Sequence, residues 1–311
     1  MIQTILLFIL GLVLICVGGD RLVDAAVVIA KKLKIPEMVV GATIVSLGTT
    51  LPEILVSATA AFSGSASIAA GNAFGSIICN TALIAGLTQL IKPSKDVEVK
   101  PLRWRSVYFA VVLVSLFGIA YFTGAWNRVV GIVLLLAFCA YAFLNIKIKD
   151  TDEEEASEDG ADVSLIKQLI ILAVCAALLY FGANLLVDNG IKIAEALGVP
   201  QRVIAVTFIA LGTSLPELVT SIVSLIKGYA NVGFGNIIGA NTLNMLLVMG
   251  IPAAVAGIEL ETSTVMVDIP LSMLVMAILI VPILIRKKSS RIQGALLLAI
   301  YIAYCVASFV K

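Results

Sequence analysis

Two copies of one short polar stretch interrupt long apolar runs of the sequence: Gly48-Thr49-Thr50-Leu51-Pro52-Glu53 and Gly212-Thr213-Ser214-Leu215-Pro216-Glu217. Each proline lacks an N–H group and its ring displaces the carbonyl four residues earlier, so a helix through either copy must break or kink. Each glutamate would cost roughly 2.5–3.5 kcal/mol at the centre of a membrane span, so it needs a cavity and a partner such as a cation. A protonated glutamate in a kinked helix is the alternative for one copy, but two matched copies favour an ion site.

The composition is that of a membrane protein. Of 311 residues, 60% are hydrophobic and 13% are charged, and the mean hydropathy is +1.10, which excludes a soluble domain. There is no histidine, so histidine-based acid–base catalysis, catalytic triads and histidine metal sites are excluded. The five cysteines are scattered through apolar runs without C-x-x-C spacing, which indicates packing residues. The apolar N-terminal run lacks a basic n-region and is interpreted as a first helix, not a cleaved signal.

Ten apolar runs are long enough to span a membrane, which takes about 20 residues. They lie at 2–31, 37–62, 67–91, 104–122 and 128–147, and at 165–194, 201–226, 231–257, 264–285 and 292–310. An offset of 164 relates the two sets, since it pairs Glu53 with Glu217 and Asn80 with Asn244. Because five is odd, the second set enters the membrane from the opposite side. The predicted fold class is therefore an all-α polytopic membrane protein with ten transmembrane helices, arranged as two inverted five-helix repeats with broken second and seventh helices.

The repeats define the predicted domains: a first five-helix repeat at 1–148, an acidic cytoplasmic linker at 149–164 and a second, inverted repeat at 165–311. The linker lacks the spaced ligands and turn glycine of an EF-hand loop, so a solvated segment is favoured over a regulatory calcium site. Basic residues gather at the helix ends of one face. The positive-inside rule then predicts a multi-pass protein of the plasma membrane with both termini extracytoplasmic.

Oxygen donors cluster around the two glutamates. The candidate ion ligands are the carboxylates of Glu53 and Glu217, the hydroxyls of Thr49, Thr50, Thr213, Ser214 and Ser76, the carbonyls of Ser46 and Ala210, and the amides of Asn80 and Asn244. Calcium takes six to eight oxygens at about 2.3–2.6 Å, so the set suits Ca²⁺ or Na⁺, whereas zinc and copper lack ligands. Two close carboxylates cannot both stay ionised in a low-dielectric cavity without a cation or protons, which predicts obligatory exchange.

Two further features of the spans have a packing explanation. Gly71 and Gly75, like Gly235 and Gly239, have the four-residue spacing that lets another helix approach closely. Asn80 and Asn244 follow these glycines and are predicted to face the glutamates, although an asparagine within a span can instead bond a neighbouring helix.

The residues from 41 to 53 and 71 to 80, with their second copies at 211–217 and 235–244, resemble the cation/calcium exchanger superfamily and its sodium/calcium exchanger branch of prokaryotic type. The resemblance implies a ten-helix fold whose first and sixth helices slide across a fixed core. It also implies four clustered cation sites, three for sodium and one for calcium. The motif of the proton/calcium branch, Gly-Asn-Ala-Thr-Glu, is absent.

The resemblance also implies roles for individual residues. Glu53 and Glu217 would bind both ions, while Thr49, Thr213 and the carbonyls of Ser46 and Ala210 would complete the calcium site and serve the flanking sodium sites. Ser76 would serve one flanking site, and Asn80 and Asn244 the centre. Two departures bear on sodium affinity, stoichiometry and potassium dependence: Ala240 stands where the pattern has serine, and Asn244 where many members have aspartate.

The predicted function is secondary antiport by alternating access, in which one Ca²⁺ is exported for three Na⁺. The protein is not expected to be an enzyme. The expected partners are the two transported ions and the lipid bilayer, with no prosthetic group, nucleic acid or obligate protein partner. A proton/calcium or other-cation antiporter on the same fold is the nearest alternative, and a calcium-permeable channel is a second. A membrane enzyme is a third alternative, but no nucleophile or cofactor loop accompanies the glutamates.

Overall fold

The computed structural model describes residues 1–147, 164–198 and 212–310, and this part of the chain is almost entirely helical. The helices are α1 (Ile2–Leu33), α2 (Glu37–Thr49), α3 (Leu51–Phe62), α4 (Ile68–Ile91), α5 (Val99–Thr123), α6 (Arg128–Lys147), α7 (Leu165–Ala196), α8 (Leu215–Ile226), α9 (Ala230–Ala256), α10 (Thr264–Arg286) and α11 (Arg291–Val310). Two short strands, β1 (Ala125–Trp126) and β2 (Ile258–Glu259), pair antiparallel between the repeats. The predicted acidic linker lies outside the described residues, apart from its last position.

Seven of the described helices are long and apolar enough to cross a membrane, and the bent pair α2–α3 makes an eighth candidate span. Helix α8, and α11 over its part from Arg291 to Ala307, are apolar but shorter than that length. The prediction of an all-α polytopic membrane protein is confirmed. The count of ten spans stays a prediction, because the first half of the predicted seventh span lies outside the described residues.

The predicted break in the second span is present. Helices α2 and α3 meet at Thr50 with a bend of 47°, and Pro52 lies in the first turn of α3, where its missing N–H costs no helical hydrogen bond. The Ser46 carbonyl, a predicted ion ligand, accepts a hydrogen bond from the Thr50 backbone N–H at 2.9 Å, because the helix continues to Thr49 before it breaks. The Thr49 hydroxyl lies 3.3 Å from the same carbonyl and 3.1 Å from Asn236 Oδ1, and its single hydrogen can serve one of them at a time.

Within the described residues, four spans contain a π-helical segment: Gly41–Val45 in α2, Cys79–Ile84 in α4, Asn244–Val248 in α9 and Thr264–Asp268 in α10. Single π turns are rare and occur frequently at functional sites. The segments in α4 and α9 contain Asn80 and Asn244, which the offset of 164 makes equivalent. The two repeats therefore share a local deviation from α-helical geometry next to the candidate ligands.

The buried apolar side chains form two separate clusters. One cluster joins α4, α5, α6, α9, α10 and α11, and the other joins α1, α7 and part of α2. Helices α2 and α9 approach closely, as predicted: a Cβ at Gly235 would overlap the Met38 carbonyl, and one at Gly239 would lie 2.5 Å from the Ser46 hydroxyl. For Gly71 and Gly75, no described atom lies within 4 Å of an added Cβ, so their packing role stays a prediction.

An ion pair connects the end of α8 with α1. Lys227 follows α8, and its Nζ lies 2.7 Å from carboxylate oxygens of both Asp20 and Asp24 in α1. Partial burial lowers the pKa of Lys227, but the two carboxylates outweigh it and leave the pKa above its usual value. The ammonium is therefore charged at physiological pH. The offset of 164 places Ser63 opposite Lys227 in the first repeat, so this pair has no counterpart there.

Candidate functional site

The two glutamates meet in the interior. Glu53 is the third residue of α3 and Glu217 the third residue of α8, so each sits in a first helical turn, where free N–H groups and the helix dipole favour negative charge. Both side chains are fully buried, and their carboxylates are close enough to interact electrostatically. The structure thus brings together two acidic groups that lie 164 residues apart in the sequence.

Hydroxyl groups bind the two carboxylates across the repeats. The Thr50 hydroxyl, from the first break, donates to Glu217 Oε1 at 3.2 Å, and Thr49 also interacts with Glu217. In the reverse direction, Thr213 from the second break hydrogen-bonds Glu53. Each carboxylate is therefore held by the broken helix of the other repeat.

One oxygen of each carboxylate remains without a hydrogen-bond partner among the described residues, namely Glu53 Oε2 and Glu217 Oε2. The Ser76 hydroxyl donates to the other oxygen of Glu53 at 3.5 Å. A buried carboxylate oxygen without a donor is costly. A bound cation would compensate both oxygens at once.

The predicted asparagines line the same interior but do not bond the glutamates in the described structure. Asn80 donates from Nδ2 to Asn241 Oδ1 at 3.2 Å, and Asn241 donates to the Thr81 hydroxyl at 2.7 Å. The other amide atom of Asn80, its Oδ1, and both amide atoms of Asn244 have no partner and are fully buried. These oxygens remain available to an ion or to water.

Sequence reasoning missed three asparagines that contact candidate ligands. Asn236 accepts a hydrogen bond from the Thr49 hydroxyl at 3.1 Å, and Asn72 donates to the Glu53 carbonyl at 3.2 Å. These two are repeat equivalents within the quoted motif, a signal that could have found them. Asn241 has Ile77 as its equivalent, so a search for matched residues could not detect it.

The remaining predicted ligands have different outcomes. Ser46 and Ser214 are buried, with 0% and 1% of their surface exposed. Ala210 lies outside the described residues. Ala240 is fully buried and brings no hydroxyl to the cage, the set of candidate oxygen ligands around Glu53 and Glu217.

A cavity of about 680 Å³ adjoins the glutamates on one side. Its inner wall includes Ser76 and Thr213, which both bind Glu53, and its far wall includes the carboxylates of Glu259, Glu261 and Asp268. A passage whose walls carry charges of one sign raises the local concentration of ions of the opposite sign. The cavity is therefore suited to deliver cations to the buried pair.

Most of the candidate ligand atoms around the glutamates are oxygens, although the Cys79 thiol also lies close to both carboxylates; the described residues contain no cluster of three or more His, Cys, Asp or Glu side chains that could hold a metal ion. Two carboxylates, several hydroxyls and two amide oxygens match the preference of calcium and sodium for oxygen ligands. The ions are cargo here, not resident cofactors. A broken membrane span beside a buried, oxygen-rich site with two carboxylates is typical of a secondary ion transporter of the membrane.

Comparison with known proteins places this transporter in a family. The family model described as sodium/calcium exchanger protein matches residues 3–147 and 167–310. The chain therefore belongs to the sodium/calcium exchanger family and is a multi-pass integral membrane antiporter. The match consists of two successive stretches that cover nearly the whole chain.

Individual relatives are similar over their full length. The sodium/calcium exchanger MaX1 of Methanosarcina acetivorans is 29% identical, with 98% of each chain covered. The uncharacterized membrane protein MJ0091 of Methanocaldococcus jannaschii is 34% identical, with 95% of this chain and 94% of the relative covered. A solved structure of the sodium-calcium exchanger NCX_Mj, soaked with 10 mM Na⁺ and zero Ca²⁺, superimposes with a TM-score of 0.82 at 32% identity and 99% coverage of both chains.

Proposed function

We propose that this protein exports calcium from the cell in exchange for sodium, three Na⁺ for one Ca²⁺, with Glu53 and Glu217 as ligands shared by both ions. The observation that carries the proposal is the meeting of two fully buried carboxylates, each with one oxygen lacking a partner among the described residues. Two negative charges balance one calcium ion. The names of MaX1 and NCX_Mj support the choice of ions.

The coupling follows from the charge of the cage. When calcium leaves, two carboxylates remain in a low-dielectric interior, and their desolvation and mutual repulsion make that state costly. Sodium ions that enter the same oxygens remove this cost, so one ion leaves as the others bind. Because both glutamates serve both ions, calcium and sodium compete for the site instead of passing together.

Other oxygens complete the proposed cage. Thr49, Thr50, Thr213 and Ser214 offer hydroxyl oxygens at the two breaks, Ser76 flanks Glu53, and the amides of Asn80 and Asn244 face the centre. The carbonyls of Ser46 and Ala210 are proposed as further ligands. Since the Ser46 carbonyl already accepts the Thr50 backbone N–H, an ion there uses its second lone pair while the Thr49 hydroxyl donates to Asn236 Oδ1.

We also propose the organisation that this mechanism requires: inverted repeats at 1–148 and 165–311, a cytoplasmic linker at 149–164 and both termini outside the plasma membrane. The two stretches matched by the family model support the duplication. Basic residues such as Lys31, Lys92 and Arg286 at the ends of α1, α4 and α10 support the orientation.

Calcium uptake into proteoliposomes tests the proposal. An outward sodium gradient should drive ⁴⁵Ca²⁺ uptake that a protonophore does not reduce, and uptake without a counter-ion should be absent. Uptake driven by a proton gradient would indicate proton coupling instead, and a current that persists without counter-ion would indicate a channel.

The ratio of the two ions is tested by the membrane potential. Three-for-one exchange moves one net charge per cycle, so an imposed potential should change the rate. Because Ala240 removes a hydroxyl from one flank of the cage, a rate independent of potential would indicate that one sodium ion is lost and exchange is two-for-one.

A further inference from the structure

A second, small cavity lies toward the opposite end of α4 from the large one. The large cavity is lined by residues 67–76 at the start of α4, whereas the small one is lined by Thr88 and Gln89 near its end. Ser221 of α8 also lines the small cavity and stands one helical turn after Glu217. The small cavity therefore begins one turn from the carboxylate pair, on the side that carries Lys92 and, by the distribution of basic residues, faces the cytoplasm.

The walls of this cavity expose polar atoms that the protein does not satisfy. Gln89 is 1% exposed and Ser221 2% exposed, yet both amide atoms of Gln89 and the hydroxyl of Ser221 have no hydrogen-bond partner among the residues that the structure describes. The Thr88 hydroxyl donates to the Ala85 carbonyl at 3.0 Å, which leaves its oxygen able to accept. The cavity measures about 20 Å³, and about 10–15 Å³ is enough for one water or one small ion.

Comparison of the repeats shows why Ser221 is available. Its equivalent in the first repeat, Ser57, accepts a hydrogen bond from Asn72 Nδ2 at 2.9 Å. The equivalent of Asn72 is Asn236, whose Oδ1 accepts the Thr49 hydroxyl and whose Nδ2 has no partner. In the second repeat Asn236 therefore contacts the candidate ligand Thr49 instead of Ser221, and Ser221 lines the small cavity.

We propose that this cavity is a transit site for one transported cation, Na⁺ or Ca²⁺, between the glutamate cage and the cytoplasmic face. Gln89 Oε1, Ser221 Oγ and Thr88 Oγ1, which all line the cavity, are its protein ligands. This inference rests on the proposed exchange function.

The chemistry of the lining suits passage, not storage. The residues that line the cavity include no carboxylate, and Lys92 stands at its edge, so a cation there gains only neutral oxygens and is repelled by one positive charge. Its residence is therefore short, whereas the two carboxylates of the cage hold the ion. Gln89 sets the rate of cytoplasmic release and loading without adding to equilibrium affinity.

The test uses Gln89→Leu and Ser221→Ala in the full-length protein, with Gln3→Leu, at the exposed start of α1, as the matched control. Sodium-driven ⁴⁵Ca²⁺ exchange should slow about tenfold, the scale of one lost polar contact, and the half-saturating ion concentration should rise on the cytoplasmic side only. Equilibrium ⁴⁵Ca²⁺ binding in detergent should stay unchanged, and the control should match the parent protein in both measurements.

A variant of nearly the same size controls for misfolding. Gln89→Glu keeps the size of the side chain but adds a charge that holds a cation, so it should slow exchange while tightening calcium binding. Unchanged exchange in all three variants would assign the cavity to a structural water, and an equal loss of binding and exchange would assign Gln89 to the cage or the fold. Absence of sodium-driven uptake in the parent protein would refute the proposed function itself, a distinct outcome.

Discussion

Replacement of Glu217 by glutamine is the sharpest test of the cage. The Thr50 hydroxyl can still donate to the amide oxygen in the position of Oε1, but the NH₂ group replaces Oε2, the oxygen that has no partner in the described structure. An NH₂ group cannot ligate a cation. The variant therefore removes one charge and one ligand while it keeps the shape and the hydrogen bond to α2.

The size of the effect follows from burial. Glu217 is fully buried, and removal of one partner from a buried ion pair costs about 3–5 kcal/mol. At about 1.4 kcal/mol per tenfold change, calcium affinity should fall by about a hundredfold to several thousandfold. The ion-free protein should not lose thermal stability, because the substitution relieves repulsion between two buried carboxylates.

Isothermal titration with Ca²⁺ and thermal unfolding without ions measure these two quantities on the same sample. Glu195→Gln, at the exposed end of α7, makes the same chemical change away from the cage and should leave the affinity within about twofold. A decrease of less than about threefold in Glu217→Gln, with the fold intact, would remove this carboxylate from the ion site.

Three further substitutions test other parts of the structure. Lys227→Met should lower the free energy of unfolding by ~1 kcal/mol, as for partly exposed ion pairs. The loss should be smaller when Asp24 is already replaced by asparagine. Equal losses with and without Asp24→Asn would mean that the Lys227–Asp24 pair contributes nothing to stability. Gly235→Ala should lower the free energy of unfolding by at least about 1–3 kcal/mol, because the added Cβ overlaps the α2 backbone. The control Gly118→Ala, whose Cβ would have no described atom within 4 Å, should leave the melting temperature unchanged or higher. A tolerated Gly235→Ala would show that α2 and α9 can separate freely. Asn244→Asp should shift the dependence of calcium binding on Na⁺ and K⁺ by about tenfold because it adds a buried charge; an unchanged ion profile would assign Asn244 to packing.

The break and the paired glutamates could be predicted because their cause is local. Pro52 must lie in a first helical turn or disrupt a helix, and Glu53 must find a partner in the interior. Both arguments use one residue and its immediate neighbours, and the repeat doubles their weight. The structure accordingly places Pro52 in the first turn of α3 and Glu53 beside Glu217.

Contacts that break the repeat could not be predicted in this way. Asn241 bonds Asn80, and Lys227 bonds Asp24, yet their repeat equivalents are Ile77 and Ser63. A method that looks for matched pairs discards such residues. Their partners lie on other helices, so only the packing of those helices identifies them.

The π segments in α4 and α9 contain Asn80 and Asn244 and change the direction of the residues that follow them. A π turn inserts an extra residue into the helix and leaves its hydrogen-bond ladder locally altered, and nothing in the residues at 79–84 signals it, since no proline or glycine lies there. Each residue turns an α-helix by about 100°. Without the extra residue of the π turn, the residues after Asn80 and Asn244 would therefore point about 100° away from their present direction. The half of α4 that carries Gln89 would then face a different neighbour from its present one. The same local irregularity thus sets the direction of the cage ligands and of the small cavity below them, and it links the two sites through one helix.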